Sequence, residues 1–135
     1  MTEISEVQKT IYNCLNGQTS TNFSNLQGIF TYIEKNSDFP YIFISTNKIE
    51  NLSTFSKNIY SYSIGVNVFD KNTSNSFVVS IAEEIKSIFS DISNFTTNDY
   101  EILDIKFKEI NISLESNNTI WKSEINFEFI ISTTI

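Results

Sequence analysis

The sequence predicts an α+β fold: a four-stranded, mainly antiparallel sheet with two helices packed on one face, in the order α-β-β-α-β-β. Three observations carry that expectation. Phe77, Val78, Ile81, Ala82, Ile85, Ile88, Phe89 and Ile92 recur at helical spacing, the clearest periodic signal in the chain. Tyr60, Tyr62, Ile64, Val66 and Val68 alternate with Ser61, Ser63, Gly65 and Asn67, which is the two-residue period of a strand. Near the C-terminus Trp121, Ile125, Phe127, Phe129 and Ile131 take one face, while Lys122, Glu124, Asn126 and Glu128 take the other. Consecutive strands joined by loops are most simply neighbours, and helices then cover one side of the sheet.

The elements follow in order. Ile4, Val7, Ile11, Cys14 and Leu15 form one apolar stripe, so residues 3–16 read as a helix, with Thr2 to cap it and Gly17 to end it. Cys14 is then a small buried hydrophobe. Residues 17–40 are polar, apart from an edge-strand candidate at Ile29-Phe30-Thr31-Tyr32-Ile33, and Pro40 belongs at the start of a strand because it cannot donate to a ladder. Tyr41-Ile42-Phe43-Ile44-Ser45 is β-branched and aromatic and reads as that strand. Residues 46–57 have no clear period and read as a long polar loop. After the strand at 59–69, residues 70–75 are a turn in which Thr73 or Ser74 can cap the next helix.

Beyond a loop at 93–100, Leu103, Ile105 and Phe107 alternate with Asp104, Lys106 and Lys108. The phase slips by one at Lys108-Glu109, and Ile110, Ile112 and Leu114 continue. Such a slip sends the second half to the wrong face unless a bulge absorbs it, so a β-bulge is predicted there. Glu115 to Thr119 is the hairpin loop into the last strand.

A chain of 135 residues fits one domain over residues 1–135 and buries roughly two thirds of its unfolded surface without staples. It has one cysteine and no histidine. That excludes an intrachain disulfide, a cysteine zinc site and every histidine-based nucleophile pair. All nine basic residues are lysines and the net charge is −7, so bidentate phosphate clamps are absent and nucleic-acid binding is disfavoured. Ala82 stands alone as alanine while Ile, Asn, Ser, Phe and Lys abound, which reads as the codon bias of an AT-rich genome. No stretch approaches the ~18 apolar residues of a membrane helix, and the acidic start Met1-Thr2-Glu3 is unlike a signal peptide.

No constellation asks to be a catalytic, cofactor or metal site. Asp70, Asn72 and Ser74 share the opening of a calcium loop, but Ile81 stands where its bidentate Glu is needed. Glu124 and Glu128 lie about 13 Å apart along a strand, too far to act on one bond. Asp99, Glu101 and Asp104 are a diffuse acidic run, and Gly17, Gly28 and Gly65 are isolated. Few polar residues converge on the core beyond Tyr60, Tyr62 and Ser123.

The pattern as a whole resembles the tail terminator, or tail completion, family of long-tailed bacteriophages and gene transfer agents. The resemblance rests on element order: an N-terminal helix and the strand opening Pro40-Tyr41-Ile42-Phe43-Ile44; the tyrosine-led strand Tyr62 to Asp70; the helix Ile81-Ala82-Glu83-Glu84-Ile85-Lys86-Ser87-Ile88-Phe89; and a terminal hairpin with Trp121. It implies a non-enzymatic virion protein of the tail or neck, made in the bacterial host cytoplasm and needing no cofactor. It further implies a homo-hexameric ring that ends the tail tube and joins tail to head. Its partners would be other copies of itself, the major tail tube protein and a head-completion or connector protein. DNA would pass through the lumen without specific binding.

Two features of the residues suit such assembly. The thin row Ser61, Ser63, Gly65 and Asn67 admits close approach of another subunit. The long loop, with Asn47, Lys48, Glu50, Asn51, Thr54, Phe55 and Lys57, is placed to reach a neighbour. A head–tail connector and an unrelated α+β small-ligand-binding domain are the alternatives.

Overall fold

The computed structural model describes residues 2–31, 38–115 and 119–133, with side chains from residue 6 onward. Its elements are α1 (Thr2–Asn16), α2 (Thr21–Ser24), β1 (Gly28–Phe30), β2 (Tyr41–Asn51), β3 (Asn58–Lys71), α3 (Ser76–Phe89), a 3-10 turn (Ile92–Asn94), β4 (Tyr100–Leu114) and β5 (Ile120–Thr133). The fold is mixed α+β as expected, with two additions. The sheet has five strands rather than four, in the order β1-β2-β3-β5-β4, and the one-turn α2 makes a third helix. Only β1 runs parallel to its neighbour; the pairs β2–β3, β3–β5 and β5–β4 are antiparallel.

The helices bury their apolar stripes against one face of the sheet. Val7, Ile11, Cys14 and Leu15 of α1 and Val78, Ile81, Ala82, Ile85 and Phe89 of α3 join Ile42, Ile44, Tyr62, Ile64, Val66, Val68, Ile125, Phe127, Phe129 and Ile131 in one core. Phe89 is its centre, with ring centroids 4.4 Å from Phe127, 5.1 Å from Phe95 and 5.7 Å from Phe129. Burial pushes the Cys14 thiol up to about 11, the behaviour of an inert core cysteine.

Local chemistry sets the boundaries. The Ser20 side chain accepts from Phe23 N–H at the start of α2, the usual way an orphan helix donor is satisfied. At α3 the cap residue is Asn75 rather than Thr73 or Ser74, and it makes no side-chain cap bond. Ser74 still contributes, since its Oγ accepts from Ser76 N–H at 3.1 Å. The capping role expected of Thr2 and the tip of the 115–119 loop fall outside what is described.

Three register shifts mark irregular pairing. One lies between Phe107 and Glu109, at the predicted bulge. A second, between Ile102 and Asp104, turns Leu103 out and brings Ile102 into the core, so the expected inward position of Leu103 is corrected. The third lies between Thr46 and Lys48. It lets β2 run on to Asn51, paired with Tyr60, so residues 46–51 belong to a strand and the loop shrinks to 52–57. The edge-strand candidate at Ile29–Ile33 appears as Gly28–Phe30; residues 32–37 lie outside the described part.

Candidate assembly surface

Because the helices cover one face, the other is left open. Along β3 that open face is the row Ser61, Ser63, Gly65, Asn67 and Phe69. The thin row is less open to a neighbouring subunit than its small side chains imply. Ser61, Gly65 and Asn67 are buried within the subunit, because β3 is central and its neighbours' side chains lean over its small residues. Asn67 Nδ2 donates to the Phe43 carbonyl at 3.0 Å and to Ser45 Oγ at 3.3 Å. A methyl group on Gly65 would come within 2.8 Å of Ser45 Oγ and 3.1 Å of Asn47 Nδ2.

At one end of this face Tyr41, Phe43, Ser45, Asn47, Asn67, Phe69, Lys122 and Glu124 line a concavity of about 300 Å³. Aromatic rings build its floor. Tyr41 stacks on Phe69 with centroids 4.9 Å apart, and Phe39 and Phe30 pack on Tyr41. Lys122 Nζ sits 5.7 Å from the Phe69 centroid, a cation–π contact at the rim.

Glu128 belongs to the same face. Ser61 donates a hydrogen bond to its carboxylate, and Lys108 and Lys106 lie 3.6 and 4.0 Å away. The Ser61 bond first, then the two lysines, holds this carboxyl below its usual range. A lowered folded-state value means that the network stabilises above the unfolded value near 4.5 and loses that effect as pH falls through the folded value. The pair is partly exposed, so its contribution stays below about 1 kcal/mol. Ser61→Ala is expected to shrink the stability lost between neutral pH and about pH 3, read from urea midpoints. An equal acid loss in both proteins would contradict this reading.

The predicted interface residues divide into two groups. Asn47, Lys48, Glu50 and Asn51 are exposed on β2, and Thr54, Phe55 and Lys57 stand on the 52–57 tip. Ser61, Ser63, Gly65 and Asn67 instead shape the sheet from within. The expectations left two features unmarked. The aromatic floor was hidden because Tyr41 and Phe43 read only as strand formers. The second is the outer edge of β4, 15 residues long and at the end of the sheet, beside the half-exposed Phe107, Ile112 and Leu114. Lysines and two bulges protect that edge, as edge strands require.

No group of three or more His, Cys, Asp or Glu able to hold a metal occurs among the described residues. The core polar residues do not converge. Tyr62 pairs with Phe129, and along β5 that is about 20 Å from Ser123. No helix among the described residues is long and apolar enough to cross a membrane.

Comparison with solved structures adds the decisive likeness. A chain in the virion of a native gene transfer agent particle superposes with a TM-score of 0.78, over 96% of this chain and 96% of that one, at 7% identity. The shared property is the fold. A second solved structure matches with a TM-score of 0.51 and 12% identity, over 97% of this chain and 92% of that one. No protein-family model and no curated protein matches the sequence.

Proposed function

We propose that this chain is a structural virion component, a single tail-terminator-like domain over residues 1–135. In this reading it forms a homo-hexameric ring that caps a tail tube and joins tail to head. The observation that carries it is the end-to-end likeness of fold to a gene transfer agent virion chain. The element order read from the sequence points the same way, and no catalytic constellation argues against it. Exposed residues of β2 and of the 52–57 tip supply contacts between subunits or to the tube. The net charge of −7 keeps a lumen from holding DNA, since like charges repel. The partners are further copies, the major tail tube protein and a head-completion protein. A neck connector is the second reading, because the likeness names a particle rather than a position in it.

Negative-stain microscopy of the purified protein, alone, mixed with tail tubes and mixed with tailless heads, tests the proposal. Rings of uniform diameter seated at tube ends are the expected result. Particles that bind head necks and ignore tubes would favour the connector. Absence of ring, tube-bound and neck-bound density alike would overturn both.

A further inference from the structure

The two ends of the β2–β3 hairpin carry complementary shapes. At its tip Phe55 is fully exposed, with Leu52 half-exposed beside it. At its other end lies the aromatic concavity floored by Tyr41, Phe43 and Phe69. Phe43 and Asn51 are about 27 Å apart along β2, so a chain cannot seat its own Phe55 there. The concavity measures about 300 Å³, while a cavity of ~150 Å³ already takes up benzene. The charges match as well. Glu50 and Lys57 flank the tip, and Lys122 and Glu124 flank the concavity, so each patch carries one charge of each sign and opposite pairing is available to a docked tip.

We propose that Phe55 of one copy seats in the Tyr41–Phe43–Phe69 concavity of the next. The contact joins two different patches and is therefore heterologous: it closes into a ring or runs on as a filament. It names the seam of the ring reading and rests on that reading, yet it can fail alone. Aromatic anchors in desolvated pockets dominate interface energetics, so one residue can decide assembly.

The test uses the doubly substituted Thr54→Cys, Glu124→Cys chain under mild oxidation, which keeps Phe55 and places one thiol beside it on the exposed tip and the other at the concavity. The native Cys14 is buried and stays out of the reaction. A ladder of disulfide-linked species with a largest closed member is expected. As a second arm, sedimentation of Phe55→Ser is expected to show at least ten-fold weaker self-association than wild type; this residue makes no contact in its own subunit's core, so the variant stays folded. Linked dimers from Thr54→Cys alone at equal yield would show tips meeting tips and overturn the seat. No ladder at the highest soluble concentration also overturns it. Rings of the unsubstituted protein seen alongside such a failure would leave the ring standing with another seam.

Discussion

Phe89→Ala is expected to lower the unfolding free energy by about 3–5 kcal/mol, the largest effect of any single truncation in this chain. The side chain is 1% exposed and meets Phe95, Phe127 and Phe129 around one point. Removing it takes away both its transfer free energy and its edge-on ring contacts, and leaves a cavity whose walls come from α3 and β5, and from the chain after α3. Those walls cannot collapse independently, because α3 is already packed on the sheet through Ile81 and Ile85. Urea denaturation read by far-ultraviolet circular dichroism gives the value. A loss under about 1 kcal/mol would place the centre of the core elsewhere.

Gly65→Lys is expected to cost about 1–3 kcal/mol through overpacking alone. On a bare face this substitution would test assembly without touching the fold. In the structure it strikes the subunit itself, because even a Cβ there stands 2.8 Å from Ser45 Oγ. The steric cause can be isolated. Gly65→Ala should be destabilising in the native background and less so in Ser45→Gly, and the difference is a coupling energy between the two sites. Additive effects would show that Ser45 is not the obstacle. Assembly is better probed at the exposed tip, by replacing residues 52–57 with a short turn, than by any change along β3.

Much of this architecture was legible because periodicity survives wherever one face is buried. Val78, Ile81, Ala82, Ile85 and Phe89 mark α3, and the alternations of β3 and β5 mark the centre of the sheet. The slip at Lys108 was readable because apolar residues continue on both sides of it. The bulge at Asn47 was not. Ile42 and Ile44 face the core and Ile49 does too, but an extra residue reverses the parity between them, and only polar residues fill the gap. Residues 46–51 therefore looked like loop. At β1 only three residues pair, too few for any period to show. The open-face concavity could not be read at all, since Phe43 and Phe69 lie 26 positions apart in the sequence and meet only through strand register.

The position of β5 has a consequence for when the subunit becomes competent. β5 lies between β3 and β4, and its register joins Thr133 to Asn58. The β2–β3 and β4–β5 hairpins are each local, whereas their union pairs residues from 49 positions apart (Lys71 with Ile120) to 75 (Asn58 with Thr133). Loop closure over that span sets a slow step, because non-local pairings lose chain entropy before they gain contacts. Until β5 has left the ribosome, one edge of β3 and the apolar bed of α3 stand open. β5 joins the two halves of the sheet, and products truncated before it are left with adhesive edges instead of a subunit.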